Sequence, residues 1–328
     1  MQHRSATLVG SVIALAACAS VGGAPPSKSA PAVAVAAAVV ETPAPMPAAI
    51  DEARAADVEM EDHWEGFGVP SCSYLAPKEG LVGEDGGIDV VWHFHAGQMS
   101  EREMRASGVR GVFVSCGYGI GTTGYSRAFD DPSRFRRMMK RLTSALGRKA
   151  KRDDVHVRRL ALASWSAGFA AVSRILSVRE YYDAIDTVIL LDSLHAQYTN
   201  GDGAKGPARG SEHVDVNMLR HFIRFAADAA AGRKTMVITH SAIVPPDYAS
   251  TAESTAALLT EVGVTAVPAS GTNVRSMALA LEADRAGLHV RGFRGTGPRD
   301  HFDHLHLIGD TLRSWLVPRW YTAGGERP

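Results

Sequence analysis

The chain has 328 residues, 45% of them hydrophobic, which is enough to bury the core of one large domain or two modest ones. Lys plus Arg and Asp plus Glu both number 35, so the formal net charge is +0, and no broad basic surface of the kind that tracks a phosphate backbone can be drawn from it. Nucleic acid is not an expected partner.

In chain order the first element reads as an address. His3 and Arg4 precede an apolar run, SVIALAACAS, that is too short to span a bilayer and has the size of a signal-peptide core. It ends Leu15-Ala16-Ala17-Cys18, which resembles the lipobox of bacterial lipoproteins. The resemblance implies a signal peptide over residues 1–18, lipidation of Cys18, and export to the cell envelope on a lipid anchor. It also implies the outer membrane if the cell is Gram-negative, because Ala19 rather than Asp follows the cysteine. From Ala19 to about Ile50 the sequence is mostly Ala, Pro, Val and Ser with no aromatic residue, and Asp51 to Asp62 is a mostly acidic approach, a short helix or more of the same. Residues 19–62 therefore read as a disordered tether and 63–328 as the folded domain.

Past Trp64, apolar runs alternate with amphipathic segments. Ile88 to Phe94 and Val109 to Ser115 predict strands. Pro132 to Leu146 predicts a helix, with Phe135, Met138, Met139, Leu142 and Leu146 on one face and Gly147 placed to end it. Then follow a strand (Val157 to Ala163), a helix (Ala167 to Leu176), a strand (Asp186 to Leu191), a helix (Val214 to Ala230), a strand (Thr235 to Thr239), a helix (Glu253 to Val262) and a last strand (Leu288 to Phe293). A closing helix is expected from Asp303, through Leu305, Ile308, Leu312, Trp315 and Leu316, with Pro318 stopping it. Such alternation predicts an α/β fold of three layers, a mostly parallel sheet with helices on both faces.

Two glycine-rich stretches interrupt the pattern. Gly117 to Gly124 lacks the lysine of a Walker loop and is not expected to open a helix at its third glycine, so nucleotide binding is not the reading; Asn200 to Gly210 reads as a mobile surface loop or lid element. Cys72 and Cys116 are either a bridge, which an exported protein would keep, or two buried thiols.

The chemistry centres on LALASWSAGFAAV. A buried strand runs into a helix with Ser166 at the apex, and the residues two before and two after it, Ser164 and Gly168, are small. This resembles the nucleophile elbow of the α/β-hydrolase family, G-x-S-x-G, with Ser164 in place of the first glycine. A serine hydroxyl needs a base to take its proton and a third group to orient that base. The resemblance implies the chain order serine, acid, histidine, each just past a strand. Asp192, directly after the strand ending at Leu191, fits the acid. His301, in the loop before the closing helix, fits the base, with His304 next; His304 and His306 are expected on the first turn of that helix. Oxyanion donors would be the Ala167 N–H and those of Ala96 and Gly97, in a His95-Ala96-Gly97 segment similar to the family's His-Gly motif. Trp165 either lines a pocket or packs in the core. The resemblance implies a serine hydrolase acting on an ester or related acyl bond of a small-molecule or polymer substrate, with no cofactor and no metal.

Two other readings stand beside it. His93 and His95, spaced to share a strand face, and the cluster Asp300, His301, Asp303, His304, His306 hold enough nitrogen and oxygen ligands for a zinc-dependent envelope peptidase or amidase, although no HExxH is present. A non-catalytic surface module of the same fold is the third.

Overall fold

The apolar runs pair into a single sheet. The computed structural model describes residues 58–199, 208–273 and 275–321; the signal segment with Cys18, the tether up to residue 57 and residues 200–207 of the second glycine-rich stretch lie outside the described residues. The strands are β1 (Glu65–Gly66), β2 (Cys72–Leu75), β3 (Gly87–Phe94), β4 (Val112–Cys116), β5 (His156–Trp165), β6 (Ile185–Leu191), β7 (Thr235–His240), β8 (Val267–Pro268), β9 (Leu279–Arg285) and β10 (Leu288–Phe293). Their order is β1-β2-β4-β3-β5-β6-β7-β10-β9-β8. The six from β4 to β10 are mutually parallel, and the flanking strands pair antiparallel.

The helices are α1 (Glu101–Arg105), α2 (Thr122–Ala128), α3 (Arg134–Ala150), α4 (Phe169–Leu176), α5 (Arg179–Ala184), α6 (Val216–Ala230), α7 (Thr251–Glu261), α8 (Pro298–Leu305), α9 (Ile308–Thr311) and α10 (Val317–Tyr321). Strand alternation sorts them into layers. Val90, Trp92, Val114, Leu162, Leu190 and Ile238 point to one face, where they meet Phe135 and Leu142 of α3, Val172 and Ile175 of α4, and Phe222 and Phe225 of α6. Val91, Phe113, Ala161, Ile189 and Val237 point to the other face, against Met104 of α1, Leu305 of α8, Ile308 of α9 and Trp320 of α10. Every residue of β3, β6 and β7 is buried, as strands covered on both faces require. The result is the three-layer, mostly parallel α/β-hydrolase-like architecture that the alternation and the elbow segment imply.

Several boundaries differ from the sequence expectation, each for a local reason. The helix expected to end at Gly147 runs on to Ala150. A Cβ at Gly147 would lie 2.6 Å from the Arg152 carbonyl, so this glycine permits close approach of the returning chain, and left-handed Lys151 makes the stop. The third glycine of Gly117 to Gly124 does cap a helix: Gly121 precedes α2. Pro318 lies inside α10 rather than ending it, because the π-helical turn Leu312–Leu316 before it shifts the hydrogen-bond register that a proline would otherwise break. Residues 59–61, placed in the tether by composition, are tied to the domain: Glu61 N–H donates to Ala76 O at 2.8 Å, Lys78 N–H to Glu59 O at 2.8 Å, and Met60 is buried.

Cys72 and Cys116 face each other across the β2–β4 pair and form a disulfide, with Cα atoms 4.2 Å apart. The bond closes a segment 44 residues long, which in the chain-entropy account stabilises the fold by about 4 kcal/mol.

Candidate active site

Chain topology chooses the location. From β3 the chain passes through α1 to β4 on one side, then through α2 and α3 to β5 on the other side of β3. The order reverses there, and open α/β sheets hold their ligands outside the carboxyl ends of the strands at such a reversal.

Ser166 stands at this point. β5 ends at Trp165, a short 3₁₀ turn covers Ser166–Gly168, and α4 begins at Phe169. Ser166 has φ 50°, a left-handed conformation that a side-chain-bearing residue rarely adopts. The turn is tight enough that a Cβ on Gly168 would sit 2.3 Å from the Phe94 carbonyl oxygen, which explains the glycine. Serine is tolerated at position 164 because its hydroxyl has a use: it pairs with the Ser193 hydroxyl at 2.8 Å, and Ser193 donates to the Ser166 carbonyl at 2.8 Å.

The chain segment after β6 brings Asp192, the candidate acid. Asp192 is 2% exposed, and its φ of 45° turns the chain out of the strand. Its Oδ2 accepts from His301 Nδ1 at 2.7 Å; its Oδ1 accepts from the Ser241 N–H at 3.0 Å and from the Thr251 hydroxyl. Burial alone would raise the carboxyl pKa, but the hydrogen bond from His301 and the Ser241 N–H hold it well below the usual carboxylate range. An ionised, fully bonded carboxylate fixes the histidine tautomer, with Nδ1 protonated and Nε2 free to accept.

His301 belongs to α8, not to the loop before it. Pro298 occupies the first helical position and Asp300 reaches back to the Gly297 N–H at 2.8 Å, so the helix starts three residues before the histidine. His304, expected on the first turn of the closing helix, lies at the buried end of α8, where its Nδ1 is 2.8 Å from the Thr239 hydroxyl. Burial pushes its pKa down to about 4. His304 therefore supports the site from below.

Three contacts fasten the Ser166, Asp192 and His301 segments together. Trp165 stacks on the His301 ring at 4.6 Å, its Nε1–H donates to the His301 carbonyl at 2.8 Å, and Ser193, next to Asp192, holds the Ser166 carbonyl. The candidate oxyanion donors sit at the start of two short helical turns. Ala96 has φ 57° and precedes the 3₁₀ turn Gly97–Ser100, and Ala167 is the second residue of the Ser166–Gly168 turn. The opening N–H groups of a helical turn have no acceptor within that turn. Gly97 is required here, since a Cβ would meet His93 Nδ1 and Ser115 Oγ at 2.9 Å.

The histidines that suggested a metal do not converge on one point. His95 leaves the strand at φ 74° and lies 2.7 Å from the Tyr125 hydroxyl; His93 is wholly buried, with burial lowering its pKa to about 3. His301 bonds Asp192, His304 bonds Thr239, His306 faces Glu103 at 3.1 Å, Asp300 caps α8 and Asp303 pairs with Arg275. Among the described residues no three His, Cys, Asp or Glu side chains converge on a point that could hold a metal ion.

Sequence reasoning missed His195, three residues after Asp192. Its ring lies between Phe169 at 5.3 Å and Tyr248 at 5.6 Å, and burial pushes its pKa down to about 4. It also missed Ser241 and Thr251, whose donation to Asp192 depends on long-range placement with no local signal.

No protein-family model matches the chain, and no curated protein sequence does. Solved structures of similar fold include the enterobactin esterase from Shigella flexneri, at 12% identity and TM-score 0.42 over 76% of this chain and 56% of that one. Others are a cold-adapted esterase from an Arctic intertidal metagenomic library (12%, TM-score 0.38, 75% of this chain and 87% of that one) and the BES protein from Bacillus cereus (12%, TM-score 0.40, 78% and 95%). At these identities and TM-scores the likeness carries no argument about activity.

Proposed function

We propose that the protein is a serine hydrolase that cleaves an ester or related acyl bond. The observation that carries this reading is the Asp192–His301 hydrogen bond of 2.7 Å, fastened through Trp165 to a serine held at φ 50°. Ser166 Oγ attacks the acyl carbon while His301 Nε2 takes its proton, and the imidazolium that forms is stabilised by the Asp192 carboxylate. The oxygen that becomes negative is received by the N–H of Ala167 with those of Ala96 and Gly97. His301 then returns the proton to the departing alcohol, and a water activated by the same base releases the acid. Nucleophile, base, orienting carboxylate and oxyanion donors all come from the chain, so the chemistry asks for no cofactor.

The same reading makes the enzyme an exported one, lipid-anchored through Cys18, on the strength of Leu15-Ala16-Ala17-Cys18 and of a disulfide of the kind that persists outside the cytosol. No helix among the described residues is long and apolar enough to cross a membrane.

Turnover of a short-chain p-nitrophenyl ester tests the activity. Wild-type protein is expected to hydrolyse it equally with and without a chelator, and Ser166→Ala and His301→Ala are each expected to lose about 10⁴-fold or more in kcat. Turnover that survives Ser166→Ala, or that the chelator removes, refutes the reading.

A further inference from the structure

The sequence leaves Trp165 as either a pocket wall or a core residue, and the structure buries it, at 6% exposure, in the apolar cluster that holds Phe293 and Leu305. Its partners, however, are two imidazoles: it stacks on His95 with centroids 5.0 Å apart and planes 11° apart, and on His301 at 4.6 Å and 30°. Its Nε1–H donates to the His301 carbonyl at 2.8 Å, and its ring meets Phe302 at 5.0 Å.

His95 is itself fixed. Its N–H donates to Cys116 O at 2.9 Å, and its Nδ1 lies 2.7 Å from the Tyr125 hydroxyl, which donates onward to Gly119 O at 3.2 Å. Ala96 and Gly97, the candidate oxyanion donors, are the next two residues. Trp165 thus touches the segment that carries the oxyanion donors and the segment that carries the base, while sitting beside the nucleophile.

From this we infer that Trp165 is a positioning residue that fixes the His301 imidazole and the oxyanion loop in common, an inference that rests on the serine-hydrolase reading. A single hydrogen bond to Asp192 sets the direction of the His301 ring but leaves it free to tilt. The indole face removes the tilt, and the Nε1 bond anchors the backbone from which the ring hangs. Productive geometry demands placement within about 0.5 Å and 10–20°, which is why a residue that contacts no substrate can govern turnover. Because His95 and Trp165 act through one column, their effects should overlap rather than add.

The test uses the full chain and the variants Trp165→Leu, Trp165→Phe, His95→Leu and the Trp165→Leu/His95→Leu pair. It reads kcat and KM on p-nitrophenyl acetate, the thermal midpoint, and the downfield proton resonance of His301 Nδ1–H. Trp165→Leu is expected to lower kcat about 100-fold with KM within about twofold, to lower the midpoint because a buried side chain is shortened, and to broaden the Nδ1–H resonance through faster exchange. Trp165→Phe, which keeps an aromatic face, should recover most of the loss, and the pair should be little worse than Trp165→Leu alone. The inference is overturned if Trp165→Leu retains kcat and a sharp resonance, or if kcat, KM and midpoint all deteriorate and Trp165→Phe rescues none of them. Should wild-type protein show no Ser166-dependent turnover, the hydrolase reading fails instead. The resonance then decides alone: loss in Trp165→Leu with retention in Trp165→Phe supports the positioning role, and an unchanged signal refutes it.

Discussion

The two ends of the parallel strands solve the same backbone problem with different residues. At the amino end, the chain segments entering β3, β4 and β7 take positive φ at Gly86, Gly108 and Gly232, where a missing Cβ makes that conformation nearly free; the entries to β5 and β10 use Lys151 and Ala286. At the carboxyl end, the exits from β3, β5 and β6 take it at His95, Ala96, Ser166 and Asp192. Holding a side-chain-bearing residue there costs about 1–2 kcal/mol each. Of the eight side-chain-bearing residues at positive φ among the described residues, four lie at the candidate site, whereas the amino-end turns use glycine at three of their five positions.

Substitutions at the two ends should therefore differ in kind, and the largest effect lies at the carboxyl end. Asp192→Asn, which tolerates the left-handed backbone, is expected to leave the fold intact and to lower kcat by about 10⁴-fold, because the amide no longer selects the Nδ1–H tautomer. Steady-state kinetics beside circular dichroism checks this. Removing the β2–β4 bridge, as Cys72→Ser/Cys116→Ser or by reductant, should cost about 4 kcal/mol, read as a lower urea midpoint. Gly168→Ala should cost about 3 kcal/mol, because the new methyl meets the Phe94 carbonyl and nothing there is a flexible side-chain end; a thermal midpoint within a degree of wild type would contradict the close approach.

The buried imidazoles predict a pH dependence. His93 and His304 have pKa values lowered by burial to about 3 and about 4 from a reference of 6.5. Between these limits the unfolded chain binds more protons than the folded one, so stability is full above about pH 6.5 and falls as the pH drops, by up to about 1.4 kcal/mol per unit for each group. Urea midpoints at pH 7.5 and pH 5 should show the loss at pH 5. The smallest effect separates strain from function: Ser166→Gly should raise stability by about 1 kcal/mol while abolishing turnover, and a lower midpoint would mean that the serine is not strained.

How far the sequence exposes this arrangement depends on the range of the interactions. The elbow is legible because the change from strand to helix period, Ser166 and the small residues at 164 and 168 are all local. Asp192 is legible because it directly follows a strand buried on both faces. The sequence suggests a loop at His301 because the apolar period of the closing helix begins only at Leu305. The helix start is set earlier by Pro298 and by Asp300 reaching back to Gly297, a polar signal that carries no period. The donors to Asp192 from Ser241 and Thr251, and the stacking of Trp165 on two histidines, join residues some 50 to 140 positions apart, and nothing near them in sequence announces the contact.

The central claim, that Ser166 is an activated nucleophile with His301 as its base, is tested most directly by treating the full chain with a fluorophosphonate and locating the adduct by peptide mass spectrometry. The account predicts one adduct per chain, on Ser166 Oγ, formed equally with and without a chelator and absent from Ser166→Ala and His301→Ala. An unlabelled wild-type chain, or an adduct that persists in Ser166→Ala, would contradict it.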